Sequence, residues 1–149
     1  MIKQGDSITN ARTGQRMIFL QTWAETNGIQ LQIECFSPVT SLKEPEHLHP
    51  FQENRFRIMG GELSFRINGK EQTAHAGDTV SIPKNVAHHF WNSGNSEAHY
   101  IQEFYPALRI DSLFETFFAL ARDGKLNQKA VFTLLSPVSK LLGYSREYK

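Results

Sequence analysis

The chain has 149 residues, a formal net charge of +1 and 40% hydrophobic residues, which are values typical of one globular domain. Because acidic and basic residues nearly balance and no run of Lys or Arg stands out, we expect neither a nucleic-acid nor a membrane partner. Cys35 is the only cysteine, which excludes an internal disulfide and fits a reducing compartment, so we expect a cytoplasmic protein. The sequence contains no apolar run long enough to span a bilayer.

Short apolar or alternating runs between turn residues predict β-strands in the first two thirds of the chain. The pairs Asn27-Gly28 and Asn68-Gly69 favour the left-handed conformations of two-residue hairpin turns. Many short strands joined by tight turns are typical of an antiparallel sandwich or barrel. The predicted strands cover residues 17–23, 29–36, 56–59, 63–67, 70–74, 79–82, 88–91 and 98–104.

After Pro106 the spacing of the apolar residues becomes helical. Asp111 or Ser112 can cap a helix whose phenylalanines fall at helical spacing, and Gly124 is placed to end it. A weaker pattern predicts a second helix over residues 128–135, before a Ser-Pro pair breaks it.

The stretch PEHLHPFQENRFRIMGG, which begins at Pro45, is rich in histidine and contains an acid close by. His47 and His49 alternate, so on a strand both rings point to the same face. A turn after His49 lets the chain present Glu53 to the same point. Two imidazoles and one carboxylate on one side of a cation leave positions open opposite, which is the geometry of a metal that does chemistry.

A second segment, GDTVSIPKNVAHHFWN, starts at Gly77 and supplies another histidine after a tight turn at Asn85. His88 would be the fourth ligand, whereas the neighbouring His89 points to the opposite face of a regular strand. A lone His-x-His with a nearby Glu arises by chance in surface loops. The two segments together are therefore more specific than either one alone.

Together the two segments resemble the two motifs of the cupin family, in the right order and separated by a predicted hairpin. The resemblance implies an all-β fold, the cupin jelly-roll or double-stranded β-helix barrel, which here carries a C-terminal α-helical extension. One departure is Ser41, where the first motif usually opens with Gly, and another is Asn85 in a glycine place, which Asn tolerates well. The matching residues are His47, His49, Glu53 and Gly60 in the first motif, and Gly77, Pro83, Asn85, His88 and Asn92 in the second.

The resemblance further implies one divalent transition metal inside the barrel. Iron, manganese, nickel, zinc and copper are all found in such cupins, and imidazole and carboxylate ligands suit each of them. The second ring nitrogen of each histidine is expected to bond an acceptor, for which Gln102 and Glu103 on the last barrel strand are candidates. The implied ligands are His47, His49, Glu53 and His88.

Two arginines follow the implied glutamate ligand at a spacing of two residues. If the strand is regular, Arg55 and Arg57 face inward with Glu53, where a guanidinium would bind a substrate carboxylate or enolate. The alternative is a bulge after Glu53 that sends both arginines to solvent and turns Phe56 and Ile58 inward. We favour the alternative, and keep both arginines as candidate substrate-binding residues.

Two further side chains are candidates for contact with a substrate. Phe90 shares the face of His88 and is expected to line the pocket wall. Gln52 is expected at the mouth of the barrel, where it would contact a substrate or cap the turn. Cys35 has no histidine at a spacing that supports a nucleophile, so we interpret it as a small buried hydrophobic residue.

Three functions are compatible with this site. The first is a metal-dependent oxygenase that resembles the flavonol-cleaving dioxygenases and takes a hydroxy-keto or enediol substrate, with Glu53 as general base. The second is a metal-dependent isomerase or decarboxylase that uses the same site without oxygen. The third is a non-catalytic barrel that binds a small ligand. The expected partner in all three is a small molecule.

The change of pattern near Pro106 predicts a cupin barrel over residues 1–106 and a helical extension over residues 107–149. Cupins of the resembling kind are often dimers, and we expect a homodimer. Outward-facing Trp91 and Phe56, with the phenylalanine face of the helix, would form the two-fold patch. In a monomer the same side chains would seat the helix on the barrel.

Overall fold

The computed structural model describes residues 1–125 and a two-residue strand at 146–147. The second helix predicted over residues 128–135 lies outside the described residues. In the described part of the chain, no helix is long and apolar enough to cross a membrane.

The described residues form mostly antiparallel β-strands, with one short helical turn and one longer helix. The strands are β1 (Ser7–Thr9), β2 (Arg16–Gln21), β3 (Leu31–Ser37), β4 (His47–Leu48), β5 (Glu53–Gly60), β6 (Glu62–Ile67), β7 (Lys70–His75), β8 (Thr79–Ile82), β9 (His88–Asn92), β10 (Ala98–Tyr105) and β11 (Arg146–Glu147). The helices are α1 (Trp23–Thr26) and α2 (Ile110–Arg122).

The strands form two antiparallel sheets. One sheet has the order β1-β2-β3-β10-β5-β8, and the other has the order β11-β4-β9-β6-β7. Strands that are distant in the sequence are neighbours in space, because β10 lies between β3 and β5 while β9 lies between β4 and β6. This arrangement is the jelly roll that the sequence predicts.

Of the two predicted Asn-Gly hairpin turns, the structure contains one as expected and differs at the other. Asn68 and Gly69 have φ angles of 51° and 77° and join β6 to β7, as expected for a two-residue hairpin. The direct hairpin predicted at Asn27-Gly28 is wrong, because the helical turn α1 precedes that pair. The N-terminus of α1 is stabilised because Thr22 donates its backbone N–H to the Glu25 carboxylate at 2.9 Å.

The core lies between the sheets and is built from alternating residues of the central strands. Cys35 is among these residues and is fully buried, as the sequence predicts. The Tyr100 hydroxyl, also buried, is satisfied by Ser37 Oγ at 2.8 Å and by Gln15 Nε2 at 3.3 Å. The largest side chains in the core include Phe19, Ile33, Phe56, Ile58, Leu63, Phe65 and Tyr100.

Helix α2 packs its apolar face on the β core of the same chain. Leu113 and Phe118 are buried, and Phe114 and Phe117 are partly buried against the core. The helix begins at Ile110 with Arg109 as its N-cap, so the predicted caps Asp111 and Ser112 lie inside its first turn. Gly124, with φ of 68°, follows its end as predicted.

The surface patch that we expected for a two-fold interface does not include Phe56. This side chain is fully buried, because it lies on the inward face of β5 between Phe65 and Phe90. Trp91 is half-buried, with Lys43 Nζ 4.3 Å above its ring. The prediction of an outward Phe56 is therefore wrong.

Candidate metal centre

Three buried histidines converge at one end of the space between the sheets. His47 on β4 and His88 on β9 are direct partners across the two strands, and His49 follows β4 by one residue. One ring nitrogen from each of these histidines lies within 4.8 Å of the others. The ring centroids are 4.8 Å apart for His47 and His88, and 5.2 Å apart for His49 and His88.

Backbone carbonyls hold two of the rings in the orientation that a metal ligand needs. His47 Nδ1 lies 2.9 Å from the carbonyl oxygen of Pro45, and His88 Nδ1 lies 2.8 Å from that of Val86. Because a carbonyl oxygen only accepts, each Nδ1 must carry the proton and donate it. The lone pair is therefore on Nε2 of both rings, which leaves that atom able to bind a cation.

The environment of His88 keeps the ring neutral. Burial, together with the nearby His47, lowers the pKa of His88 to about 3. Within the described residues, the buried His88 Nε2 has no hydrogen-bond partner. A neutral, buried and unsatisfied imidazole nitrogen fits a metal ligand, since a metal bond would replace the missing hydrogen bond.

The turn of the second motif joins the two histidine segments. Asn85 has φ of 64°, the left-handed conformation expected for a residue in a glycine place, and its backbone N–H donates to His49 O at 2.7 Å. Three residues later the chain reaches His88. The local turn chemistry thus fixes the position of one motif against the other.

The structure does not bring Glu53 to the histidines. Glu53 lies on the outer side of β5, where Arg55 Nε and one guanidinium NH₂ group donate to its carboxylate at 3.0 and 3.2 Å. The two side chains are 36% and 44% exposed. The physical reason is the strand alternation, which turns Asn54, Phe56 and Ile58 inward and leaves Glu53 and the arginines outside.

Sequence reasoning missed Asn54 as a residue of the site. Asn54 is 2% exposed and lines the same cavity as the histidines, and the buried Gln102 donates to its Oδ1 at 3.2 Å. The sequence contained a signal that could have identified it. Phe56 and Ile58 are apolar and lie two and four positions after Asn54, so a strand that buries them also turns Asn54 inward.

Of the four candidate substrate-binding residues, one lines the cavity and three lie outside it. Phe90 lines the cavity beside His88, as expected. Arg55 and Arg57 are exposed on the outer face, and no bulge is needed for this because the strand is regular there. Gln52 is 1% exposed and does not line the cavity, since its side-chain NH₂ donates to Pro106 O and Ala107 O at 3.0 and 2.9 Å.

The histidines open into a cavity of about 530 Å³ between the barrel and helix α2. One wall is polar and contains the three histidines with Asn54 and Gln102. Charged side chains of Arg12, Lys43 and Glu44 also line the cavity. Apolar side chains make up much of the remaining lining, and they are Phe90, Phe104, Leu113, Phe114, Phe117 and Phe118. Such a cavity is large enough for a small organic ligand with one polar and one apolar end.

Three neutral imidazoles suit zinc, copper, iron or nickel, and three protein ligands leave coordination positions open to a second molecule. Nitrogen–metal bonds of about 2.1 Å place the ligand nitrogens of one ion about 3 to 4 Å apart. The separations within 4.8 Å are therefore close to those required, and a small contraction would complete the site.

Comparison with known proteins agrees with this architecture. Residues 36–102 match the family model described as "Cupin domain", and this segment contains all three histidines. The chain therefore contains a cupin domain. Among curated proteins, oxalate oxidase 1 from Hordeum vulgare is 26% identical over 114 residues, a match that covers 70% of this chain and 56% of the relative. The match thus spans little more than half the length of that relative.

Solved structures show the same fold at low sequence identity. A protein described as a predicted oxalate decarboxylase from Thermotoga maritima has a TM-score of 0.59 at 23% identity, covering 71% of this chain and 99% of the other. An RmlC-like cupin from Shewanella frigidimarina has a TM-score of 0.56 at 19% identity, covering 67% and 83%. These likenesses concern the arrangement of the strands.

Proposed function

We propose that this protein is a mononuclear metal-dependent enzyme that acts on a small organic substrate in the cavity between the barrel and α2. The observation that carries the proposal is the set of three buried histidines, two of them with Nδ1 held by a backbone carbonyl, at the polar end of that cavity. A divalent metal is the expected cofactor, with His47, His49 and His88 as ligands.

The protein's own residues would supply fixed ligands and a shielded site. The carbonyls of Pro45 and Val86 fix which nitrogen of His47 and of His88 is free, so these rings need not reorganise on binding. The phenylalanines of α2 line the same cavity, where their apolar rings would limit the access of water. A metal in this site would supply a Lewis acid and a template for adjacent substrate oxygens.

Within this class we favour an oxygenase or oxidase, with molecular oxygen as the oxidant. The support is the curated relative named oxalate oxidase 1, together with the three-ligand site, which leaves room for two further ligands. The proposed substrates carry adjacent oxygens, as hydroxy-keto compounds, enediols and small carboxylic acids do. Glu53 lies outside the cavity, so the proposal gives it no part in proton transfer.

The test combines metal analysis with an oxygen assay. Tag-free wild-type protein, His49→Ala, His88→Ala and the control His75→Ala, whose histidine is exposed, would be reconstituted with each cation and analysed by plasma mass spectrometry. Oxygen uptake would then be followed with a panel of hydroxy-keto, enediol and carboxylic acid substrates.

The proposal predicts near-stoichiometric metal in the wild type and the control, little metal in the other two variants, and oxygen uptake that follows the metal. Turnover of a substrate without oxygen uptake would replace the oxygenase by an isomerase or decarboxylase. Metal binding without turnover of any substrate would favour a ligand-binding barrel. A wild-type protein that binds no cation would overturn the proposal.

A further inference from the structure

Asn54 is a polar residue inside the cavity, where its side chain could form a hydrogen bond with a ligand. It is buried on the inward face of β5 and lines the cavity together with the three histidines. Its diagonal neighbour on β10 is Gln102, which is also buried and also lines the cavity. A buried amide in such a place is expected to use both its oxygen and its NH₂ group.

A chain of hydrogen bonds orients the Asn54 amide. Cys35 Sγ lies 3.8 Å from Gln102 Oε1, to which the thiol donates, and Gln102 Nε2 then donates to Asn54 Oδ1 at 3.2 Å. The Asn54 oxygen is therefore occupied, and the NH₂ group is the part left for the cavity. The side-chain hydrogen bond that Asn54 makes among residues 1–125 is the one at this oxygen.

The charge of the site indicates what this NH₂ group would bind. Within the described residues, the clustered metal-ligating atoms belong to three histidines and include no carboxylate. A divalent cation held there by neutral imidazoles alone would bring two positive charges into a buried place, and its ligand atoms would not compensate them. An anionic oxygen of a bound ligand would offset part of that charge and could accept a hydrogen bond from a nearby donor.

We propose that Asn54 binds substrate, by donating a hydrogen bond from its NH₂ group to an anionic oxygen, carboxylate or enolate, of a metal-bound organic ligand. The inference rests on the proposed metal site, and it adds a residue that selects anionic over neutral ligands. Gln102 acts through Asn54 and is a positioning residue, because it holds the Asn54 oxygen away from the ligand.

The test uses Co²⁺-loaded protein, whose visible absorption spectrum responds when a ligand joins the metal. Glycolate and its neutral analogue ethylene glycol would be titrated into the wild type, Asn54→Ala and Asn54→Asp, with Asn95→Ala as a control at an exposed asparagine. Metal content and melting temperature would be measured for every variant. Asn54→Asp preserves the shape of the side chain, so it remains informative if Asn54→Ala folds poorly.

We expect Asn54→Ala to keep its Co²⁺ and to bind glycolate at least about tenfold more weakly, because one hydrogen bond to a charged group is lost. We expect Asn54→Asp to keep Co²⁺ and to lose the glycolate response, since the new carboxylate repels the anion. Ethylene glycol should bind weakly to all variants, and Asn95→Ala should match the wild type.

Four results would overturn the inference, and the metal content distinguishes them. Wild-type affinity for glycolate in Asn54→Ala, or no glycolate binding by metal-loaded wild type, would remove Asn54 from ligand binding while the metal site stands. Loss of Co²⁺ in Asn54→Ala would make Asn54 a metal ligand through its oxygen. Failure of the wild type itself to bind Co²⁺ would remove the metal site and the inference together.

Discussion

His47 and His88 face each other across β4 and β9, and each ring donates Nδ1–H to the carbonyl oxygen two residues earlier in its own segment. The donor–acceptor distances, 2.9 Å to Pro45 O and 2.8 Å to Val86 O, are those of good hydrogen bonds. The same local geometry therefore occurs in both motifs, and it prepares two nitrogens for one cation before any cation is bound.

The metal-free protein is expected to lose stability as the pH falls from about 6.5 towards 3. The pKa of His88 is lowered from 6.5 to about 3 in the folded state, so over this range the unfolded chain binds a proton that the folded chain does not. The free energy of unfolding should then fall by up to about 1.4 kcal/mol per pH unit from this group alone.

Urea unfolding of metal-free wild type and His88→Asn between pH 6.5 and 4.5 checks this expectation. Because other groups titrate in both proteins, the contribution of His88 is the difference between the two pH dependences. The wild type should show the steeper loss of stability, and His75→Asn, at an exposed histidine, should behave like the wild type. Parallel curves for wild type and His88→Asn would contradict the burial of a neutral imidazole.

The substitution Glu53→Gln should leave the metal content unchanged. Glu53 is bound to Arg55 on the outer face, and an exposed ion pair of this kind contributes little to stability. Metal analysis and urea unfolding would be run on Glu53→Gln beside Arg55→Gln, which removes the other half of the pair. A loss of metal in Glu53→Gln alone would show that the carboxylate reaches the cation.

Cys35 should not react with an aromatic disulfide reagent at pH 8 while the protein is folded. Burial raises the pKa of this thiol far above its usual range, and the thiolate is the species that reacts. In urea the same reagent should label one thiol per chain, since the sequence has one cysteine. Rapid labelling of the folded protein would mean that the core around Cys35 opens readily.

Gly61→Ala should be clearly more destabilising than Gly69→Ala. Both glycines have positive φ, 76° and 77°, so the backbone strain of an alanine is the same in each. A Cβ at Gly61 would lie 2.8 Å from Glu97 O and 2.9 Å from Ala98 Cα, whereas a Cβ at Gly69 would meet no atom within 4 Å.

Thermal or urea unfolding of the two variants isolates the steric contribution as their difference. We expect about 1 kcal/mol of destabilisation for Gly69→Ala from the left-handed backbone, and a further 1 to 3 kcal/mol, roughly, for Gly61→Ala from the close contact. Equal losses in the two variants would contradict the tight packing of the chain between β5 and β6 against Ala98.

Much of the fold and the three histidines could be predicted because the signals are local. The Asn-Gly pair at residue 68 specifies its turn by backbone conformation, and Asn85 takes the left-handed conformation that its place in the second motif requires. His47, His49 and His88 follow from the two motifs, which the matched cupin segment contains.

The inward residue of β5 could not be read from the motif, because a spacing in the sequence does not fix which side of a strand a residue occupies. Glu53 and Asn54 are adjacent and polar, and a shift of one residue exchanges their faces. The apolar pair Phe56 and Ile58 determines the register, because the register that buries these two side chains also buries Asn54 and leaves Glu53 on the outer face.

The cavity wall formed by α2 was also beyond sequence reasoning. The phenylalanine spacing predicts a helix with an apolar face, but it does not say which part of the barrel that face covers. In the structure Phe114 packs against Phe104 with ring centroids 5.7 Å apart, and His49 packs on the same Phe104 at 5.8 Å. These tertiary contacts, which the sequence pattern does not specify, place the helix close to His49.

The most direct test of the three-histidine metal centre is X-ray absorption spectroscopy of Co²⁺- or Zn²⁺-loaded wild type, Glu53→Gln and His88→Ala. We expect three imidazole ligands with nitrogen–metal distances of about 2.1 Å and oxygen donors in the remaining positions. We also expect an identical spectrum for Glu53→Gln, and the loss of the imidazole signal or of the metal in His88→Ala. Fewer than three imidazoles in the wild type, or a spectrum changed by Glu53→Gln, would contradict a metal centre made by His47, His49 and His88.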